Sequence, residues 1–353
     1  MITDITNNPE IRALPEFENH NGVFLLENKD IGFKGYISIH RKNPTVPSFG
    51  ATRMWAYKNG IEGLRDSLRL SRMMSYKAAL AGLDCGGGKG VIIANPTSPN
   101  REELLREYAK NVDLLKGKFI TGTDVGLCQR DLAIMKEETP YIVGFNDNSV
   151  EFTTLGIYNA IQVSLQKVFS TKDVSKRSFA IQGVGNIGAG LIKLLSDSGC
   201  RIIYVSDIIP EKIKMIKEKF PDVKIVDPKE IHKLEVDVFC PCALGGVINE
   251  KTIQDLRCKI VAGGANNQLE KESLGTVLFE KHILYAPDYI ANAGGLISVF
   301  DEYSNKIYNK DTVSAKVMKI KDILNEIFIG SDQNKKATNI IANEIAEKKF
   351  NNF

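Results

Sequence analysis

A segment rich in lysine and glycine has the residue types needed for proton transfer. It reads Met74-Ser75-Tyr76-Lys77 and, nine residues later, Gly86-Gly87-Gly88-Lys89-Gly90. The glycines resemble a phosphate loop, but the G-x-x-x-x-G-K spacing is missing and no Ser or Thr follows Lys89, which excludes a nucleoside triphosphatase. We expect the glycines to remove side-chain bulk, so that Lys89 projects into a cleft beside a small ligand.

Three further side chains could share that cleft. Met74 and Lys77 are three residues apart on a predicted helix and so lie on one face. Two lysines in one cleft repel each other, and burial adds to the effect. Both lower the pKa of a lysine towards neutrality, as a general base requires. Asp124, in the segment Thr121–Gly126, follows a predicted strand, where active-site loops gather in α/β sheets.

A second motif follows a strand in the C-terminal half. It reads Gly183-Val184-Gly185-Asn186-Ile187-Gly188, a G-x-G-x-x-G that opens a helix. In this context the first glycine permits a tight turn, the second lets the backbone approach a pyrophosphate, and the third allows close helix–strand packing. The helix N-terminus offers free N–H groups to phosphates. We therefore predict a dinucleotide site.

An acidic residue indicates which dinucleotide is bound. Asp207 ends the next predicted strand, 19 residues after Gly188. A carboxylate there suits the two ribose hydroxyls of NAD and repels a 2′-phosphate. No Arg follows Asp207 directly, so we predict NAD rather than NADP. The alternative interpretation is a structural glycine turn beside a solvated acid.

Hydrophobic periodicity supplies the elements that position these residues. It predicts a strand–helix alternation on both sides of a turn-rich patch at 144–149. Strands are predicted over 33–39, 91–94, 119–121, 179–182, 201–206, 237–240, 259–262 and 283–285, and helices over 61–83, 101–115, 188–196, 211–220 and from about 312 onwards. The second half predicts a parallel sheet covered by helices.

The composition is that of an ordinary globular chain. Its 353 residues carry a net charge of +3 and are 43% hydrophobic, which excludes a disordered chain and gives no basic footprint for nucleic acid. No apolar stretch approaches a membrane span, and no secretion signal begins the chain. The six scattered cysteines predict reduced thiols in a cytoplasmic protein. Cys240-Pro-Cys242 could bind a metal, but a buried strand end explains it better, so no metal is predicted.

Taken together, the motifs resemble the amino-acid dehydrogenases of the glutamate/leucine/phenylalanine/valine family. The likeness extends over about residues 20–305. It is carried by Phe49–Trp55, Leu83–Val91 with Asn95-Pro96, Thr121–Gly126, Gly183–Gly188, Ala243–Asn249, Ala262–Leu269 and Ala286–Gly295. The resemblance implies NAD-dependent, reversible oxidative deamination of an L-amino acid to a 2-oxo acid and ammonia in a homo-oligomer. The charge balance and the lack of a long apolar stretch predict no nucleic-acid or membrane partner.

The resemblance also implies roles for single residues. Lys77 would hold the substrate carboxylate, Lys89 would act as general base on the attacking water, and Asp124 would exchange protons with the amino group. Asn267 would contact the substrate and Asn266 the nicotinamide ribose. The remaining cofactor residues would be Gly183, Gly185, Asn186, Ile187, Gly188, Asp207, Cys242 and Ala243, and the remaining substrate residues Phe49, Gly50, Met74, Gly122, Leu296 and Val299.

The expected side-chain pocket favours a large apolar substrate. Glutamate-specific members carry Lys where this chain has Phe49, and an aromatic ring cannot compensate a buried carboxylate. Gly122 and Leu296 match phenylalanine-type members, whereas leucine-type members tend to carry Ala and Val. A missing methyl at 122 makes room for a ring. We predict an aromatic substrate, with leucine or valine as the alternative. A non-catalytic dinucleotide-binding regulator is the alternative of another class.

Two departures from the family pattern stand out. The Gly/Pro-rich hinge expected before the helix near Thr154 reads Phe145-Asn146-Asp147-Asn148-Ser149-Val150-Glu151-Phe152, with Glu151 adding a charge near the nicotinamide site. Ala51 replaces a common Gly. The fold class predicted is α/β with two domains. One is a substrate domain over 1–140 joined by C-terminal helices over about 312–353, and the other is a doubly wound Rossmann NAD domain over 145–310.

Overall fold

A computed structural model describes residues 1–41, 43, 45–145, 148–305 and 308–350. The described residues form two compact units. The first comprises those of 1–147, 299–308 and 348–353, and the second those of 148–298 and 309–347. The chain therefore passes between the units four times, twice inside a helix.

The first unit is built on a mixed seven-stranded sheet. Its strands are β1 (Ile2–Asp4), β2 (Gly22–Asn28), β3 (Phe33–Ile39), β4 (Ser48–Phe49), β5 (Thr52–Trp55), β6 (Gly86–Ile93) and β7 (Phe119–Ile120). They lie in the order β1-β2-β3-β6-β4-β7, and β5 also pairs with β6. β6 runs antiparallel to β3 on one side and parallel to β4 and β5 on the other.

Helices cover both faces of this sheet. They are α1 (Pro9–Arg12), α2 (Gly60–Leu80), α3 (Arg101–Leu114) and α4 (Gln129–Lys136). Along β3, Phe33 and Ile37 pack with the α3 face, whereas Tyr36 packs with Leu64 of α2. The alternation of β3 suggested a half-buried strand, yet both faces are buried because α2 covers the polar side, where the hydroxyl groups of Ser38 and Ser67 bond at 2.7 Å.

The second unit contains six parallel strands. They are β8 (Ser178–Gln182), β9 (Ile202–Ser206), β10 (Lys224–Ile225), β11 (Val238–Pro241), β12 (Ile260–Val261) and β13 (Leu284–Tyr285). Their order is β10-β9-β8-β11-β12-β13. Numbered along the unit this order is 3-2-1-4-5-6, the doubly wound dinucleotide-binding topology. The predicted α/β class with two domains, one of them Rossmann-like, is confirmed.

The remaining helices belong to the second unit, except that one is divided between the two units and another enters the first unit with its last turn. They are α5 (Ser149–Phe169), α6 (Asn186–Asp197), α7 (Pro210–Lys219), α8 (Thr252–Asp255), α9 (Leu274–Glu280), α10 (Asp288–Ala291), α11 (Gly294–Ser304), α12 (Lys310–Met318), α13 (Ile320–Asn334) and α14 (Thr338–Phe350). The unit boundary at 298/299 falls within α11, and the one at 347/348 falls within α14.

The placement of the C-terminal helices differs from the prediction. We expected them to join the N-terminal domain, but residues 309–347 belong to the second unit. Lys321 of α13 bonds Gln162 of α5 at 2.9 Å. Only the last turn of α14 belongs to the first unit, where the Lys349 ammonium donates to the Ala79 carbonyl at 3.1 Å. Hydrophobic periodicity shows that a helix has an apolar face to bury, but it does not show which domain that face packs against.

The six cysteines are free thiols, and four of them are buried. Among the described residues, no three His, Cys, Asp or Glu side chains are grouped so as to bind a metal ion. None of the helices in the described ranges is long and apolar enough to cross a bilayer.

Candidate active site

Lys89 carries the only side chain in the stretch Gly86–Gly90 of β6. The space beside each glycine is filled by the protein itself. A Cβ on Gly87 would lie 2.0 Å from the Ser75 nitrogen of α2, and one on Gly90 would lie 1.9 Å from the Tyr108 hydroxyl. The glycines therefore allow α2, α3 and the neighbouring strands to pack closely on β6, whereas the sequence had suggested that they clear a cleft for a ligand.

Lys89 and Asp124 form a largely buried ion pair. The Lys89 ammonium lies 2.5 Å from Asp124 Oδ2, and Lys89 is 5% exposed. Asp124 follows β7 in a segment that continues the sheet, since Thr52 donates its N–H to Gly122 and Met54 donates to Val125. The structure thus brings together the two residues predicted to be catalytic.

Two residues that sequence reasoning did not single out complete this cluster. Arg53 of β5 donates through Nε to Asp124 Oδ2 at 3.1 Å and through Nη1 to Asp66 Oδ2 at 2.8 Å. Asp66 of α2 also accepts from the Tyr57 hydroxyl at 2.6 Å. One sequence feature could have pointed to Arg53. It is the only charged residue in the strand Thr52-Arg53-Met54-Trp55, where Thr52 and Met54 are buried.

Burial and charge set the protonation of the pair. Burial lowers the pKa of the Lys89 amine, and the charge of Arg53 lowers it further, against the opposing effect of Asp124. Burial alone would raise the pKa of Asp124, but Lys89 and Arg53 outweigh it and hold that pKa well below its usual range. The like charge that acts most on Lys89 is Arg53, whereas the sequence analysis had assigned that effect to Lys77. An amine with a weakened hold on its proton can act as a general base.

Three other predicted substrate residues of the first unit lie on β4 and α2. Met74 and Lys77 lie half-buried on α2. Phe49 is 1% exposed, and its ring packs edge-on against Phe300 and Tyr303 of α11, with centroids 5.1 and 5.2 Å apart.

Small residues near Phe49 have structural reasons of their own. A Cβ on Gly50 would lie 1.9 Å from the Gly88 carbonyl oxygen, and one on Gly122 would lie 3.0 Å from that of Val143. Close strand packing thus requires glycine at 50. Leu296 and Val299 are half-buried, three residues apart on α11.

The glycine motif Gly183–Gly188 of the second unit, called the fingerprint below, adopts the predicted strand–turn–helix form. Gly183 has a φ of +93°, which favours glycine, and a Cβ on Gly188 would lie 2.0 Å from the Gly183 carbonyl oxygen. A Cβ on Gly185 would meet nothing within 4 Å. Gly185 is also the N-cap of α6, which begins with Asn186 and Ile187 and exposes N–H groups unopposed by a capping side chain. This open cradle fits the pyrophosphate of a dinucleotide.

Asp207 ties the fingerprint loop to the end of β9. Its carboxylate accepts from the N–H of Val184 at 2.9 Å and of Ile209 at 3.0 Å. Ala243 packs against Gly183, since a Cβ on that glycine would lie 2.7 Å from the Ala243 methyl group. These contacts gather Asp207, Ala243 and the fingerprint at one edge of the sheet.

The remaining predicted cofactor residues, Cys242 and Asn266, and the predicted substrate residue Asn267 follow β11 and β12. Burial raises the pKa of the Cys242 thiol to about 12, so it is protonated. The side-chain oxygen of Asn266 accepts from Asn292 at 2.8 Å. Asn267 adopts a φ of +53° and accepts from the Gly246 N–H through its carbonyl oxygen.

Part of the unusual hinge segment is described. Asn146 and Asp147 lie outside the described residues. Glu151 lies in the first turn of α5, where its carboxylate is paired with the Lys310 ammonium at 2.7 Å. The extra charge expected there is therefore paired within the second unit.

These observations define a class of protein. A 3-2-1-4-5-6 parallel sheet with this fingerprint and an acid after the second strand is a dinucleotide-binding unit, and the first unit adds a buried lysine–carboxylate pair.

Sequence models then identify the family. The model described as Glutamate/Leucine/Phenylalanine/Valine dehydrogenase matches residues 144–350. The one described as Glu/Leu/Phe/Val dehydrogenase, dimerisation domain, matches residues 23–141. The chain belongs to this family of amino-acid dehydrogenases, as the motifs predicted.

Similar proteins carry three different substrate names. The chain is 41% identical over 337 residues to an L-tryptophan dehydrogenase of Nostoc punctiforme, covering 94% of each chain. It is 37% identical to a leucine dehydrogenase of Geobacillus stearothermophilus over 97% of this chain and 93% of that one. It is 39% identical to a phenylalanine dehydrogenase of Caldalkalibacillus thermarum over 95% and 92%. The crystal structure of the Nostoc punctiforme L-tryptophan dehydrogenase matches with a TM-score of 0.81 at 40% identity, over 94% of this chain and 96% of that one.

Proposed function

We propose that this protein catalyses the NAD-dependent, reversible oxidative deamination of an L-amino acid with a large apolar side chain, aromatic in preference to branched aliphatic. The overall reaction converts amino acid, NAD⁺ and water into 2-oxo acid, ammonium, NADH and a proton. The buried Lys89–Asp124 pair is the observation that carries the proposal. NAD would be held by Gly183, Gly185, Gly188 and Asp207, and when bound it supplies the acceptor for a hydride from the substrate Cα.

The residues of the chain supply position and proton transfer. Lys77 binds the substrate carboxylate. The neutral amine of Lys89 removes a proton from the water that adds to the iminium carbon of the substrate, and Asp124 exchanges protons with the substrate nitrogen. Because burial lowers the pKa of Lys89, we expect kcat/KM to rise with pH through a value below that of a free lysine.

An aromatic preference rests on the apolar residues of the expected pocket. Phe49 brings an aromatic ring and no charge to the expected pocket, where Phe300 and Tyr303 pack against that ring, and Gly122 has no side chain. The leucine or valine alternative is supported by the 37% identity to a leucine dehydrogenase. One methylene changes specificity by only about 1–3 kcal/mol, so activities on neighbouring substrates will overlap.

A screen of NADH formation with all twenty L-amino acids tests the proposal. We expect the highest kcat/KM with phenylalanine or tryptophan. Best turnover with leucine or valine refutes the aromatic preference. If no amino acid is turned over, the proposed enzymatic activity is refuted. The remaining hypothesis is then a non-catalytic dinucleotide-binding regulator.

The Lys89→Ala variant tests the assigned base. Arg53 still pairs with Asp124 in this variant, so the carboxylate keeps a counter-charge and the chain should fold. We expect turnover to be lost and the NAD affinity to be unchanged. Lys110→Ala, which removes an exposed lysine of α3, is the matched control. Turnover comparable to the control would mean that another group is the base.

We also propose that the protein is a homo-oligomer, because the family model that matches residues 23–141 is described as a dimerisation domain. Light scattering coupled to size-exclusion chromatography tests this. A mass of 39.1 kDa at micromolar concentration would contradict it.

A further inference from the structure

Arg53 joins two largely buried carboxylates at the proposed catalytic pair. It reaches Asp124 through Nε and Asp66 through Nη1. Asp66 is itself fixed on its other oxygen by Arg69, at 2.6 Å. The Arg53, Asp66 and Asp124 side chains are 18%, 13% and 14% exposed. A guanidinium has the rigid fork geometry needed to hold two carboxylates at once, which a lysine ammonium lacks.

Lys89 and Arg53 bind the same oxygen of Asp124, at 2.5 and 3.1 Å. If Lys89 were its only partner, release of the Lys89 proton would leave a buried carboxylate without a counter-charge, which is strongly unfavourable. Lys89 would then hold its proton. With Arg53 in place, Asp124 stays paired in both protonation states of Lys89.

We infer that Arg53 is a positioning residue that lets Lys89 cycle between its protonated and neutral forms by keeping Asp124 paired throughout. This inference rests on the proposed function for the role of Lys89. The contacts that support it all lie within the first unit.

The charges around Lys89 support this role. The described charged groups that act on it are Asp124 after β7, Arg53 of β5 and Asp66 of α2, with Arg69 of α2 and the Tyr57 hydroxyl on Asp66. The two carboxylates favour the protonated amine and the guanidinium opposes it. The net effect on the pKa of Lys89 is a decrease, in which burial is the largest contribution and Arg53 the main like charge.

The pH dependence of kcat/KM in Arg53→Gln tests the inference. We expect the ascending limb to move up by about one pH unit or more, since nearby charges shift a pKa by one to three units. At a pH on that limb, each unit of upward shift lowers kcat/KM by about tenfold. At high pH, where Lys89 is neutral in both proteins, kcat/KM should reach the same plateau. Arg53→Lys keeps a charge but cannot hold both carboxylates, so a smaller upward shift is expected.

Arg65→Gln is the matched control. Arg65 lies on α2 and pairs with Glu16, but it is half exposed and outside this cluster, so the limb should stay in place. A merely structural role for Arg53 predicts a uniform loss of activity at every pH. An unmoved limb in folded Arg53→Gln overturns the inference. If that variant does not fold, an unmoved limb in Arg53→Lys overturns it.

A second measurement does not need turnover. The rate at which acetic anhydride acylates Lys89, followed by peptide mass spectrometry across pH, reports the fraction of neutral amine. We expect its midpoint to rise in Arg53→Gln and to stay in place in Arg65→Gln. If the wild-type protein oxidises no amino acid, the proposed function fails, while this titration still decides whether Arg53 controls the protonation of Lys89. An equal midpoint in wild type and Arg53→Gln refutes that control.

Discussion

Lys89 is the one side chain in a stretch where close packing leaves room only for glycine. Every other residue in Gly86–Gly90 is glycine because the helices and strands around β6 occupy the space that a Cβ would need. The same close packing buries the amine and presses it against Asp124. The physical causes of its altered basicity are therefore the packing of β6 and the charge of Arg53.

The residue-scale test of specificity concerns Gly122. A methyl group there would lie 3.0 Å from the Val143 carbonyl oxygen, so Gly122→Ala adds strain as well as bulk. We expect a stability loss of about 1 kcal/mol, as for modest overpacking, together with a larger fall in kcat/KM for phenylalanine and tryptophan than for leucine. Urea unfolding separates the two effects. An equal fall for all three substrates would remove Gly122 from the specificity pocket.

At the scale of elements, strong local patterns were predicted well. The strand over 33–39 is β3 with the same bounds, and the helix predicted over 61–83 is α2 at Gly60–Leu80. Asn59 caps α2 by accepting from the Glu62 N–H, and Gly82 with a φ of +69° follows its end.

Elements that depend on distant partners were missed. The strand predicted at 91–94 begins at Gly86, because β3 and β4 pair with glycines whose own strand propensity is low. The short edge strands β1 and β10 carry little apolar signal and were not predicted.

The candidate site was predicted unevenly for the same reason. Lys89, Asp124 and the fingerprint stand in motifs that short spacing reveals. Arg53 and Asp66 are 13 residues apart and meet only because β5 and α2 both pack on β6. That proximity is a tertiary fact, so no local pattern reports it.

Two glycines of the fingerprint give an element-scale prediction. Gly188→Ala places a Cβ 2.0 Å from a backbone oxygen, whereas in Gly185→Ala the Cβ meets nothing within 4 Å. We expect Gly188→Ala to lose about 2 kcal/mol or more of unfolding free energy. Gly185→Ala should change it by less than about 0.5 kcal/mol while weakening NAD binding. Urea unfolding and calorimetric titration with NAD measure the two effects. A Gly185→Ala protein that binds NAD normally would contradict the proposed pyrophosphate contact.

At the scale of the whole molecule, two buried histidines link stability to pH. The His20 ring accepts the Glu18 N–H at Nδ1, so Nε2 carries the hydrogen that it donates to the Leu68 carbonyl. The site thus fits a neutral ring. His40 packs edge-on against His20 and Phe350. Burial is the main cause that lowers the pKa of His20 to about 4 and that of His40 to about 2.

The unfolded chain binds protons at these histidines with a pKa near 6.5, above both folded values. These histidines therefore do not affect stability well above pH 6.5. As the pH falls below that value they destabilise the fold progressively, down to about pH 4 for His20 and about pH 2 for His40. We expect each to remove about 1 kcal/mol of unfolding free energy between pH 7.5 and 5.5. Urea unfolding at the two pH values measures this.

His40→Phe should reduce that pH dependence, because it keeps a ring and removes the titrating group. His282→Asn, which removes an exposed histidine, is the control. Equal pH dependence in wild type and His40→Phe would show that protonation of His40 does not oppose folding.

The four passages of this chain between its two units constrain how its gene could recombine with that of a relative. A single crossover near residue 147 would transfer the fingerprint unit but would also replace residues 299–308 and the last turn of α14, which belong to the first unit. In such a chimera, Phe49 would meet a foreign partner at the positions of Phe300 and Tyr303, and Tyr76 would meet one at the position of Phe350. An exchange that keeps both units intact therefore needs four junctions.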